Sequence, residues 1–315
     1  MKQGPIDIHH HILPPAYLHI VGGRLGAQGL FGSLSQWSPE ISIEAMDRNG
    51  IAAAVTSISA PGVWFGDIGE TGKLARLCND YAAEMKRDFP GRFGNFAILP
   101  LPDVDSALRE IEYALDTLGA EGVGLMTNYG GRYPGDPLFR PVLEELDKRK
   151  AIVFVHPTAG GYANPLPEIP IPTLEFPFET TRAVTSLLYG GVFSRYLGIR
   201  FVFSHAGGVT PYLAQRIARL TVRAEYKQSV PDGVLPALGR LCFDTALSAN
   251  AFAFDPMRRL VPVSNILFGT DYPHAGEPTM TASLRGLDEL ELSNEENAAV
   301  KRNNAMALFP RLGVD

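Results

Sequence analysis

Residues 6–11 read IDIHHH, and the same plan returns at 151–156 (AIVFVH), 199–205 (IRFVFSH) and 265–271 (NILFGTD). Each is a short run of branched or aromatic side chains that finishes on a group able to bind a metal or a proton. Strands that end this way belong to the catalytic rim of a closed parallel barrel, where residues far apart in sequence converge at the C-terminal ends of the strands. Working outward from these four, eight runs qualify as strands, at 6–10, 52–58, 93–99, 122–126, 151–155, 199–204, 240–244 and 265–269. Stretches of helical periodicity separate them, near 40–49, 71–89, 104–118, 137–149, 179–195, 209–228, 249–260 and 280–289. This alternation predicts an α/β fold, a (β/α)8 TIM barrel forming one domain over residues 1–315. A doubly wound sheet fits less well, because no GxGxxG turn follows the first strand. Segment 296–309 reads as a last helix packed on the outside. The connections 12–38 and 157–177 read as extended loops after strands 1 and 5, placed where they shape the pocket.

The 315 residues are 45% hydrophobic and 20% charged, and no stretch reaches the roughly 18 apolar residues of a membrane helix. A net charge of −6 with no block of Lys or Arg argues against a nucleic-acid partner. The opening MKQGPIDIHHH lacks the apolar core of a signal peptide, so a cytoplasmic location is expected. Cys78 and Cys242 fall in a helical and a strand pattern and are expected to be buried free thiols.

Five of the seven histidines, with one aspartate, stand at or just beyond strand ends. His9 and His11 are two apart on a strand and share a face, so both can point to the barrel axis while His10 points away. His156, His205 and Asp271 would meet them there. Imidazoles and a carboxylate suit one divalent ion, Zn²⁺ in the first place with Mn²⁺ or Fe²⁺ as alternatives, and three His with one Asp leave a position open. A single strand-end histidine is more often structural, and His19 is read so. His274 reads as a residue that caps or braces its loop.

Taken together, DIHHHILPP, VFVHPT, FVFSHAGG and ILFGTDYPH resemble the marker segments of the amidohydrolase superfamily, and within it the branch of aminocarboxymuconate-semialdehyde decarboxylase. The resemblance runs from residue 5 to about 310. It implies that His9, His11, His156 and Asp271 hold the metal and that His205 is the acid/base residue beside the metal's water. It also implies that Arg216 reaches across a dimer interface to a substrate carboxylate, which calls for a homodimer or larger homo-oligomer. Ser42 departs from the pattern, since the named decarboxylase is expected to carry a carboxylate-binding arginine near it. The fourth strand ends in Met126, Thr127 and Asn128 where dinuclear members carry a carboxylated lysine, so one metal is expected. FPFETTRAVTSLL and IDIHHHILPPAY look most like decarboxylases of 6-methylsalicylate and related ortho-hydroxyarenecarboxylates.

The expected reaction is therefore non-oxidative loss of CO₂ from a small aromatic carboxylate, leaving a phenol. An ortho-hydroxybenzoate can chelate the open face of the ion, and the ring carbon must gain a proton before CO₂ can leave. Asp271 is the first choice as donor and His205 the second, with no organic cofactor. Trp64, Phe176 and Phe178 are candidates for the ring pocket. Asp244 is read as orienting His205 or capping a helix. The competing reading keeps the ion but uses it to hydrolyse a lactone or amide, with Asp271 as base. A barrel that only binds partners is disfavoured, because every expected ligand is present.

Overall fold

Runs such as IVFVH and RFVF are rich in β-branched and aromatic residues with too few polar positions for a solvated face, so they must be covered on both sides. In the computed structural model, which describes residues 3–25, 34, 36–160 and 166–312, they form one eight-stranded parallel sheet in sequential order. The strands are β1 (Ile6–His11), β2 (Ala53–Ser57), β3 (Phe93–Ile98), β4 (Gly122–Met126), β5 (Ile152–His156), β6 (Arg200–Phe203), β7 (Cys242–Asp244) and β8 (Ile266–Leu267). The sheet closes on itself: Ile8 N donates to Phe268 O at 2.9 Å, Asp271 N to His9 O at 2.8 Å and His11 N to Tyr272 O at 2.7 Å. Helices lie between the strands, so the fold is a (β/α)8 barrel.

Ile6, Ile8, Ala53, Val55, Phe96, Phe154, Val202, Cys242 and Leu267 form one buried cluster, and Ala305, Phe309 and Leu312 belong to it. The Phe309 ring stands 5.7 Å from Phe96. The C-terminal segment, expected on the outside, thus plugs one end of the barrel interior with its apolar side chains. A larger cluster fills the layer between strands and helices.

The long connections hold more helix than the sequence led us to expect. Pro15–Leu25 is helical, and the helix after β5 spans Ile171–Tyr189, beginning inside the proline-rich stretch. Pro172 occupies its first turn, where a missing N–H costs nothing, although Pro177 lies within the helix. Residues 26–33, 35 and 161–165 of these connections are outside the described residues. The helix expected over 209–228 is Thr210–Ala218 followed by short turns, and a five-residue helix, Val234–Leu238, was not anticipated. Cys78 and Cys242 are buried free thiols. Among the described residues no helix is long and apolar enough to cross a membrane.

Candidate metal centre

Strict alternation along β1 would put Ile6, Ile8 and His10 on one face and His9 and His11 on the other. The register against β2 shifts between Asp7 and His10, and this bulge re-aims the histidines. Ile6 and Ile8 remain in the barrel cluster, while the His9 ring also turns inward, 5.0 Å from Phe154 and 4.9 Å from His11. His10 turns outward to Asp7 and Ser42.

Five side chains converge at the C-terminal mouth. Ligating atoms of His9, His156, His205 and Asp271 all lie within 4.8 Å of one another. His11 Nε2 is 3.0 Å from His9 Nε2 and 2.9 Å from Asp271 Oδ1, so His11 shares the cluster, and His205 is as near to it as the four residues expected to be ligands. The partners of the other ring nitrogens decide the tautomers. His9 Nδ1–H donates to Asp244 Oδ2 at 2.7 Å, His156 Nδ1–H to Pro157 O at 2.8 Å and His11 Nδ1–H faces Ser57, 3.1 Å from its Oγ and 3.3 Å from its carbonyl oxygen. Each leaves Nε2 as a bare lone pair, and that of His156 is buried with no hydrogen-bond partner. Two lone pairs 3.0 Å apart repel unless a cation lies between them. The donor set therefore fits a divalent ion held by His9, His11, His156 and Asp271, with carboxylate and carbonyl partners behind the imidazoles.

The electrostatics agree. Burial pushes the His11 pKa down to about 3 and that of His156 well below its usual value, aided by the neighbouring imidazoles. On His9 burial is outweighed by the Asp244 and Asp271 carboxylates, which raise it to about 10. Asp271, despite burial, is held well below the usual carboxylate range by the imidazoles of His11, His205 and His9 packed against it. The two carboxylates thus demand positive charge among the imidazoles, which a divalent ion supplies.

The loops that present these groups are strained. Asp271, His205, Ala206 and Leu247 adopt φ of +63°, +52°, +56° and +53°, a region that costs a non-glycine residue on the order of 1 kcal/mol. His205 is held by its N–H to Asp244 Oδ1 at 2.8 Å. Asp244 therefore orients the ring of His9, holds only the main chain of His205 and accepts the N–H of Ala246 at 3.0 Å, where the sequence offered His205 or a helix cap. Gly208 has φ +65°, and a Cβ there would lie 2.0 Å from Pro177 O, so this loop can pass under the Ile171–Tyr189 helix only with glycine.

A cavity of about 440 Å³ opens from the cluster, lined by His205, Asp271, Phe176, Val209, Leu247 and Ala253 among others. Phe176 stands 6.1 Å from the His156 ring. Phe178, two positions on and so on another face of the helix, is 43% exposed and absent from the lining. Trp64 packs against the core cluster beside Gly130 and is not in the lining either. Arg216 is exposed on the outer side of the Thr210–Ala218 helix and does not reach the cavity of its own chain. His19 is exposed, and the His274 ring packs 5.2 Å from His11. Sequence reading missed Asp7, Ser57 and Thr270, which brace the cluster from behind.

A family model described as Amidohydrolase matches residues 6–311. Decarboxylase yanB of Aspergillus niger is 37% identical, with 97% of this chain and 87% of that protein covered. The 6-methylsalicylic acid decarboxylase of Penicillium expansum is 34% identical over 98% of this chain and 96% of that protein. A crystal structure of an amidohydrolase II superposes with a TM-score of 0.91 at 28% identity, covering 97% of this chain and 99% of the other.

Proposed function

The chain belongs to the amidohydrolase family, and on that premise we propose that it is a metal-dependent, non-oxidative decarboxylase of an ortho-hydroxy aromatic acid, 6-methylsalicylate or a close analogue. The observation that carries this reading is the set of three bare Nε2 lone pairs gathered around Asp271, which with His205 lines a largely apolar cavity. His9, His11, His156 and Asp271 would hold one divalent ion, Zn²⁺ or Mn²⁺, within a single barrel domain. When bound, the ion supplies a Lewis acid and a template for the carboxylate and the phenolic oxygen beside it.

Among the described residues no lysine or arginine lines the cavity, so these offer the substrate carboxylate no cationic side chain within one chain. Phe176, Val209, Leu247 and Ala253 offer an apolar wall to the ring and exclude water from its faces. Asp271 places Oδ1 toward His11 and His9, while Oδ2 lies 3.4 Å from His205 Nε2. The second oxygen is free to carry a proton to the ring carbon that bears the carboxylate, and His205 can return one to it. Breaking the carbon–carbon bond then restores the aromatic ring without an organic cofactor.

Tyr212 and Arg216 are four apart on one helix face, and Tyr212, Val222 and Phe252 are 82%, 88% and 95% exposed. Exposed aromatic residues around a substrate mouth fit a homodimer that buries this face and brings Arg216 to the partner's cavity. In that dimer Arg216→Ala raises KM for the carboxylate about tenfold or more, as loss of a charge-assisted bond requires, with kcat less affected; an unchanged KM, or a monomer in sedimentation, would remove this role.

The reaction is tested by incubating metal-replete protein with 6-methylsalicylate, a panel of ortho-hydroxybenzoates and a panel of lactones. We expect CO₂ and the matching phenol. Ring-opened lactone without gas would replace the decarboxylase with a hydrolase at the same centre.

A further inference from the structure

Behind the ion-binding cluster, on the outer face of β1, lies a second polar group that the reaction does not use. Asp7 is fully buried and its carboxylate accepts four hydrogen bonds. Oδ1 takes the N–H of His9 and of Thr270, each at 3.0 Å. Oδ2 takes Thr270 Oγ1–H at 2.6 Å and His10 Nδ1–H at 3.0 Å. Three of these four donors belong to His9 itself and to Thr270, the residue before Asp271, and two of the three are main-chain N–H groups. One carboxylate therefore ties the strand-1 ligand to the strand-8 ligand through their main chains, across the seam where the barrel closes.

The group continues outward in one direction. With Nδ1–H given to Asp7, a neutral His10 has Nε2 as an acceptor, 3.0 Å from Ser42 Oγ. Ser42 can then donate its hydroxyl proton to His10 and accept Trp37 Nε1–H, 2.9 Å away. The chain Trp37 to Ser42 to His10 to Asp7 leaves every ring nitrogen and hydroxyl involved satisfied, and Ser42 and His10 are fully buried. A buried polar network of this kind is costly when half satisfied and rigid when complete. It also gives a physical reason for Ser42 at a position where the resemblance called for arginine: a guanidinium there could donate to His10 Nε2 but could not accept Trp37 Nε1–H, as a hydroxyl does.

Taking His9 and Asp271 as ligands, as the proposed function does, we propose that Asp7 is a positioning residue that sets the spacing of these two ligands, and that His10, Ser42 and Trp37 hold Asp7 in the geometry to do so. None of the four touches substrate or ion. In Asp7→Asn the amide N–H₂ faces Thr270 Oγ1–H and His10 Nδ1–H, so donors meet donors and His10 must change tautomer, which reverses the chain. Ser42→Ala leaves Asp7 in place but removes both bonds at the outer end.

The test is the affinity for Mn²⁺ or Zn²⁺ alone, measured by competition with a chromophoric chelator, together with the thermal unfolding midpoint with and without the ion. Loss of outer partners of this type weakens metal binding about 10- to 100-fold, and that is the range expected for Asp7→Asn. Ser42→Ala should fall near the lower end of it. In both, the gain in midpoint on adding the ion shrinks in step with the affinity. A merely structural role would lower the midpoint equally with and without the ion and leave the affinity at the wild-type value, and that result would overturn the proposal. Should Asp7→Asn not fold, Ser42→Ala decides the matter by the same readout. Since no substrate is used, a wild type that binds the ion but releases no CO₂ leaves this inference standing while the reaction falls; a wild type without a tight site removes both.

Discussion

Stripped of divalent ions by a chelator and assayed in metal-free buffer, the protein loses its decarboxylation by a factor on the order of a thousand or more, and one equivalent of Zn²⁺ or Mn²⁺ per chain restores it. The magnitude follows from the several kcal/mol that a Lewis acid contributes to a developing charge, with each ~1.4 kcal/mol worth tenfold in rate. Among the described residues the cavity offers no cation in its place, since none of those that line it is lysine or arginine. His9, His11 and His156 cannot substitute either. Their Nδ1 atoms are committed to Asp244, Ser57 and Pro157, and their Nε2 atoms face one another rather than the cavity's apolar wall. The check is a titration of activity against metal content per chain. Full turnover at well under a tenth of an ion per chain would remove the ion from the reaction.

How far the sequence could be read differs from one part of the site to another. The strands were legible because each is short and apolar, four of them lead to a metal- or proton-binding group at the same relative place, and eight of them leave few topologies open. The convergence of His9, His11, His156, His205 and Asp271 followed from that topology. The direction in which His9 and His11 point was reached by a rule that holds between the two of them but not along the whole strand. Counted from Ile6 and Ile8, alternation puts His10 inside, and only the bulge between Asp7 and His10 reverses it. A bulge leaves no mark in the local pattern IDIHHH.

Other features depend on quantities that composition does not carry. Prolines 170, 172 and 177 read as loop, yet a proline in a first turn is compatible with a helix, and the helix begins at Ile171. An amphipathic C-terminal segment looks the same whether it lies on the barrel or plugs its end, and Phe309 and Leu312 do the latter. Phe176 and Phe178 could not be told apart, because the choice turns on how the helix is rotated over the mouth. Asp7 was passed over for a different reason. Its partners His9 and His10 lie two and three residues on, but Thr270, which supplies the other two donors, becomes a neighbour only when the barrel closes, so the local sequence does not announce a buried carboxylate with four donors.

Asp271→Asn, assayed at saturating metal so that occupancy is not limiting, is expected to lower kcat about a thousandfold, within the range of loss of a positioned general acid. The substitution keeps the shape of the side chain and an oxygen at the place of Oδ1, 2.9 Å from His11 Nε2, where the ion would be held. It removes the one carboxylate that, among the described residues, both lines the cavity and lies beside His205, and an amide cannot hand a proton to carbon. His205→Asn should cost less, about 10- to 100-fold, because His205 supplies protons to Asp271 rather than to the ring. Two readouts separate this from simple loss of the ion. Metal content per chain should remain near one in the assay, and in D₂O the wild-type phenol should carry one deuterium at the carbon that lost CO₂. If Asp271→Asn keeps more than about a tenth of kcat while His205→Asn abolishes turnover, the proton comes from His205 Nε2 instead, and Asp271 is left as a ligand alone.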